Sequence, residues 1–439
     1  MFAATAKINL DSQLIIPSEN TTEGVLVIET RPSLPLRLQV VNTVGKHLGA
    51  ARLPVVSLRE EALVQAAVKE TGLTDFGDSY YRESLLRLLE SADNDAALHL
   101  SGQVALREVI VGSLINRLLL TEAFKQTPET FRKPLKSPII VLGLPRSGTT
   151  FLHRLLAMDP AHRAVPWWEL ARPLPGAKSD KLSDRRRQVF QKKLDRRQKL
   201  APDFDRKHYT RVDTPEECIW LLANTFLSPL FWAFAPVYGY LDWYKNQDRL
   251  QAYYEYRQLL QVLQAADPAR RLALKSSTHT GAVETLLQTV PGALLIQTHR
   301  NPVETSASLV SLFYSVHSRM TELLDVRRMT EAILSFHEHQ IARNLAARDA
   351  HPGALFDVYY DRLVADPIGT VRDIYDHYDL AWSEEFAERL NYYLQLNPNG
   401  KHGAHRYAPE TFGQTGEAIS ERFAAYIERF ELTSPNGIQ

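Results

Sequence analysis

The sequence predicts an α/β protein: a P-loop-like parallel sheet flanked by helices, with a helical region before it and a mostly helical insertion within it. Three observations lead there. Short apolar runs alternate with helical patterns through the middle of the chain, the order of parallel α/β proteins. The apolar run 139–142 passes directly into Gly143-Leu144-Pro145-Arg146-Ser147-Gly148-Thr149-Thr150, a strand, a Gly-rich turn and a helix start. Polar residues gather at the carboxyl ends of the predicted strands, where open parallel sheets bind ligands.

Along the chain, residues 1–55 read as an N-terminal arm. Gln13-Leu14-Ile15-Ile16 and Gly24-Val25-Leu26-Val27-Ile28 alternate among prolines, so the arm is expected to be extended or a small sheet. Residues 56–136 form a helical region. Leu63, Ala66 and Ala67 mark one helix, Leu85, Leu86, Leu88 and Leu89 a second, and Val109, Leu114, Leu118 and Leu119 a third, with breaks at Thr71-Gly72 and Asn94-Asp95.

The core spans 137–380. Strands are expected at 139–144, 271–274, 293–298 and 355–359, and helices near 149–158, 281–290, 303–316 and 367–378. An insertion, 160–270, separates the first two strands. It carries a basic stretch (Arg185-Arg186-Arg187, Lys192-Lys193, Arg196-Arg197, Lys199) with Phe190, Leu194 and Leu200 among the charges, the pattern of a solvated amphipathic helix. Between Glu217 and Asp242 no residue is charged. Length alone would allow a membrane span. Pro229 and Pro236 would break such a helix, so core packing, the wall of an apolar pocket, or a peripheral membrane contact are the readings left. Residues 381–439 form a C-terminal segment.

Lys+Arg and Asp+Glu balance at 51 each, so no global field draws the chain to nucleic acid. One cysteine, Cys218, excludes an internal disulfide framework and a Cys-rich zinc site. Met1-Phe2-Ala3-Ala4-Thr5-Ala6-Lys7 lacks the basic-then-apolar order of a secretory signal, and a cytoplasmic setting is expected. Oligomeric state is not legible.

The Gly-rich loop departs from the nucleotide-hydrolase pattern in one place. That pattern sets Lys before the Ser/Thr; here Thr149 stands there, and the cation sits inside the loop at Arg146. Backbone N–H groups and a helix N-terminus still face an anion. A P-loop kinase or NTPase is the main rival reading, and Thr149 argues against it.

The chain resembles the sulfotransferases that use 3′-phosphoadenosine-5′-phosphosulfate (PAPS), in particular the bacterial-type enzymes with an LPRSGTT loop, from about residue 60 to about 415. Four motifs carry the resemblance, in order. The first is Pro145-Arg146-Ser147-Gly148-Thr149-Thr150, with Phe151 next, which by resemblance holds the 5′-phosphosulfate, Arg146 facing the bridging oxygen. The second is Thr298-His299-Arg300-Asn301-Pro302 with Ser308 eight residues past Arg300, the interval at which the family clamps the 3′-phosphate. A guanidinium fork and a hydroxyl suit phosphate oxygens. The third is Leu274-Lys275-Ser276-Ser277-Thr278-His279, where related enzymes place a catalytic Lys and His in tighter spacing, with a proline in place of Ser277. The fourth is Tyr359-Tyr360-Asp361-Arg362-Leu363, whose tyrosine lies by the adenine, implying Tyr360. Lys401, His402 and Gly403 resemble the loop that returns over the 3′-phosphate, which implies that the C-terminal segment, 381–439, covers the bound cofactor.

The resemblance implies in-line transfer of a sulfuryl group from PAPS, releasing adenosine 3′,5′-bisphosphate, to a hydroxyl or amine of a small-molecule acceptor, without a metal. Lys275 and Arg146 would stabilise the leaving oxygen. His279 is the expected base. His208, Asp213, Glu216 and Glu217 are its rivals, although Asp213 or Thr214 as a cap, Pro215 at the first helical position and the glutamates in the first turn is the favoured reading of that cluster. The aromatic stretch after Glu217, with Trp167-Trp168, points to an apolar acceptor. A non-catalytic membrane-surface protein on the same fold is the remaining alternative.

Overall fold

Five strands build one sheet: β1 (Ile139–Gly143), β2 (His162–Ala164), β3 (Arg271–Lys275), β4 (Leu294–His299) and β5 (Leu355–Tyr359). The computed structural model describes residues 34–50, 55–175, 185–200, 210–397 and 409–433. Strand order is β2-β3-β1-β4-β5, every pair parallel. Parallel strands covered on both faces read as continuous apolar runs, and all five residues of β1 are buried. Alternate residues serve opposite faces. Ile140, Leu142, Leu272, Leu274 and Leu295 join the larger core with the N-terminal helices and the insertion. Ile139, Val141, Ile296 and Val358 join a second core with Leu152, Leu155, Val371, Ile374 and Phe386.

All four expected strands are present, with ends within one residue of the expectation. The fifth, β2, escaped because it is a three-residue edge strand, His162–Ala164, without an apolar run. From central β1 the chain passes to edge strand β2 and then β3 on one side and later crosses to β4 on the other, so the sheet switches direction beside the Gly-rich loop. Crevices at such points take ligands.

The helical region consists of Glu60–Thr71, Tyr81–Asn94 and Leu100–Gln126. Gly72 ends the first in the left-handed region (φ 74°), its N–H reaching Val68 O at 2.7 Å, and Asp95 ends the second. Of the arm, Leu36–Ala50 is a helix rather than extended chain; the alternating stretches at 13–16 and 24–28 lie outside the described residues. A long helix, Val326–Ala350, went unassigned on sequence; Met329, Ile333, Phe336 and Ile341 bury one side of it.

Arg186–Leu200 is the amphipathic helix its pattern implied, burying Phe190 and Leu194. The uncharged segment breaks into Ile219–Leu222, Leu230–Phe234 and Tyr238–Lys245, with Pro229 capping the second. Phe226, Phe231, Trp232 and Tyr240 are fully buried, so most of this stretch is protein core and not a membrane contact. No helix among the described residues is long and apolar enough to cross a membrane.

Arg117 ties the helical region to the insertion. Its buried guanidinium bonds Glu255 at 2.8 Å, Asn224 O at 3.1 Å and the carbonyls of Phe76 and Asp78. Burial raises the Glu255 pKa against the pull of Arg117. Arg117→Met leaves that carboxylate without its partner, and such losses cost about 3–5 kcal/mol. Chemical denaturation should show a destabilisation of that order.

Candidate active site

The Gly-rich turn is built from its own backbone requirements. Gly143 has φ 134°, and a Cβ there would fall 2.5 Å from Thr298 O, so only glycine lets β1 leave the sheet here. Its N–H donates to Thr280 Oγ1 at 3.0 Å. Ser147 turns inward: its Oγ donates to Leu144 O at 2.6 Å and meets Thr298 Oγ1 at 2.5 Å, and its N–H reaches Leu144 O at 3.2 Å. The serine therefore shapes the turn, and its hydroxyl is occupied there. Gly148, at φ 96°, precedes the helix Thr149–Leu156, whose first turn has no side-chain cap. Its N–H groups and dipole offer an anion a binding end. Thr149 is buried, Thr150 exposed, and Phe151 packs into the second core.

Arg146 is exposed and left-handed (φ 71°), a conformation that costs a non-glycine residue about 1–3 kcal/mol and points to function. Its Nε donates to Ser308 Oγ at 3.1 Å, in the helix Pro302–His317. Arg300, just past β4, donates Nη1 to Arg146 O at 3.3 Å and stacks over the Tyr360 ring at 3.9 Å. Glu304, one turn on, holds it at 2.8 and 3.0 Å. Tyr360 closes the ring of contacts, because a Cβ on Gly148 would lie 3.0 Å from its Cδ2. Loop, clamp and tyrosine form one rim across the ends of β1, β4 and β5.

On the other flank of β1, Lys275 ends β3 opposite Val141. Its side chain is 3% exposed, and Nζ bonds Glu217 Oε1 at 2.7 Å. Ser276 Oγ donates to Glu217 Oε2 at 3.2 Å, so both carboxylate oxygens are held while the side chain stays 27% exposed. Burial pushes the His153 pKa down to about 4 against its bond to Ala273 O, and the Lys275 charge lowers it further, which places the ammonium near the helix that begins at the loop.

Residues 138–384 match the Sulfotransferase family. The chain belongs to that family. The crystal structure of sulfotransferase STF1 from Mycobacterium tuberculosis H37Rv is similar at 32% identity and a TM-score of 0.74, over 84% of this chain and 98% of that one. Sulfotransferase STF9 from Mycobacterium avium is similar at 27% identity and a TM-score of 0.77, over 86% and 98%. Omega-hydroxy-beta-dihydromenaquinone-9 sulfotransferase Stf3, from Mycobacterium bovis and Mycobacterium tuberculosis, is 24% identical over 301 residues, 67% of this chain and 74% of the relative.

Within this sulfotransferase the expected site residues divide. Arg146, Gly148, Thr149, Thr150, Arg300, Ser308 and Tyr360 come together as one rim, and Lys275 stands beside it. Lys401, His402, Gly403 and His208 lie outside the described residues. His279 corrects an expectation. It is 0% exposed; Nδ1 meets Tyr253 OH at 2.8 Å and Nε2 meets Cys218 Sγ at 3.2 Å. Burial pushes its pKa down to about 3, which weakens it as a base. It braces the site instead, for Cys218 N and Sγ both bond Lys275 O, at 3.0 and 3.4 Å.

The capping reading of the acidic cluster also fails. The helix starts only at Ile219, since Glu216 N is drawn to Val165 O at 3.2 Å and Cys218 N to Lys275 O. Asp213 pairs with Arg187 and Thr214 with Arg211. Glu304 was missed, although its position four residues after Arg300 on a helix is a readable signal.

Proposed function

We propose that this sulfotransferase moves the sulfuryl group from PAPS to the hydroxyl of an apolar small molecule. The observation that carries this reading is the Arg146–Ser308 bond with Arg300 folded against the same loop, which unites two anion-binding motifs lying 154 residues apart. Two guanidinium groups, an uncapped helix start and a tyrosine ring in one rim suit an adenosine bearing phosphates at both ends. PAPS supplies the activated sulfuryl group. Around it Thr149, Thr150 and Arg146 bind the 5′ end, Arg146 balancing charge on the departing oxygen. Arg300 and Ser308 bind the 3′-phosphate, and Tyr360 faces the base.

Glu217 takes the acceptor proton as the hydroxyl oxygen bonds to sulfur and the bond from sulfur to the phosphate oxygen breaks. It is a partly exposed carboxylate beside the rim, oriented by Lys275 and Ser276. The acceptor side is apolar. Trp220 follows Glu217 by three residues and packs on Trp167 and Phe234, each at 5.6 Å, and all three rings are only part-buried. A relative named for a dihydromenaquinone with an omega-hydroxyl supports that class of acceptor.

Thermal unfolding tests the donor. Adenosine 3′,5′-bisphosphate at a hundredfold excess over its dissociation constant should stabilise the protein by about 2.7 kcal/mol, and Mg·ATP far less. The reverse order would return the chain to the nucleotide-kinase reading. Labelled PAPS offered with hydroxylated lipids, terpenoids, phenols and sugars then identifies the acceptor.

A further inference from the structure

The geometry points to the helix Leu36–Ala50 as a docking face for an anionic lipid surface. One side of this helix is fixed to the body of the protein. Asn42 is buried and its Oδ1 accepts from Ser101 N at 2.9 Å, while Gly45 lies so close to Leu100 that a Cβ would come within 2.5 Å of its Cβ. The helix therefore cannot roll to hide what it shows. Leu36, Val40 and Val44, one helical turn apart, and Val41 beside them are 74%, 55%, 49% and 41% exposed. Isolated exposed apolar residues need no explanation, but a row of four on one helix does.

Charge selects the occupant. The fifteen residues contain Arg37 and Lys46, both exposed, and no Asp or Glu, in a chain whose overall charge balances. Apolar side chains bordered by cations are the pattern of a helix lying in a bilayer interface with anionic headgroups. A second copy of the chain fits less well. Four side chains offer roughly 300 Å² of apolar surface, where a stable interface takes about 800 Å² from each partner. The uncharged segment that first suggested membrane contact is buried, so the contact falls here, and this inference does not rest on the proposed reaction.

Flotation of the full chain on vesicles tests it. With equimolar phosphatidylcholine and phosphatidylglycerol the protein should float, and with phosphatidylcholine alone the bound fraction should fall. Val40→Glu with Val44→Glu should reduce binding to the mixed vesicles about tenfold or more. Arg37→Glu with Lys46→Glu should remove the preference for anionic lipid, a loss of about tenfold. All four positions are exposed, and an unchanged circular dichroism spectrum and thermal unfolding midpoint check that the variants are folded. A wild type that stays at the bottom, or a valine variant that floats equally well, overturns the inference. So does a lipid-free dimer that the valine variant dissociates, which would make this face an interface between copies.

Discussion

Glu217→Gln is expected to lower kcat by about 10²–10⁴-fold while leaving stabilisation by adenosine 3′,5′-bisphosphate nearly unchanged. Glutamine keeps the shape and can still meet Lys275 and Ser276, which now hold the carboxylate at 2.7 and 3.2 Å. It cannot take a proton. The proposed donor rim lies on Arg146, Arg300 and Ser308 beyond β1 and β4, whereas Glu217 is held at the end of β3, so donor binding should separate from turnover. Steady-state kinetics with labelled PAPS, run beside thermal shifts, make the comparison. Turnover that survives the substitution would remove Glu217 as base. A companion variant, His279→Phe, should unsettle the brace through Cys218 and lower thermal stability. If it instead abolished chemistry with stability intact, the imidazole would regain the role its environment denies it.

Arg300→Ala should weaken binding of adenosine 3′,5′-bisphosphate by about 10²–10³-fold. A hydrogen bond to a charged group is worth about 1.5–3 kcal/mol, and the guanidinium fork can make two to one phosphate. The substitution also frees Arg146 O and the Tyr360 ring, which Arg300 contacts at 3.3 and 3.9 Å. Arg300→Lys should recover only part of the loss, because an ammonium has neither the planar fork nor the stacking face. Isothermal titration reads both variants directly. Equal affinity for wild type and Arg300→Ala would detach this residue from the donor site and, with it, the pairing of the two motifs.

Much of the scaffold was readable before any coordinates. Buried parallel strands announce themselves as short apolar runs, and β1, β3, β4 and β5 all did. β2 did not, because three edge residues bury little and carry no pattern. Helix ends at Gly72 and Asp95 were legible because termination is decided by the local backbone. The turn at 143–150 was equally local, its glycines set by φ values that other residues avoid.

Strand ends drew attention to Arg146, Arg300 and Lys275, and the family resemblance, with its Arg-to-Ser interval, nominated them together with Ser308. Only packing between distant segments decided the surroundings of His279 and Glu217. Tyr253 and Cys218, 26 and 61 residues away, enclose the imidazole, and burial lowers its basicity. Lys275, 58 residues from Glu217, draws the acid off the helix start where local rules would have put it. A side chain's proton affinity and reach depend on neighbours that the chain brings together in space, and no local pattern encodes them.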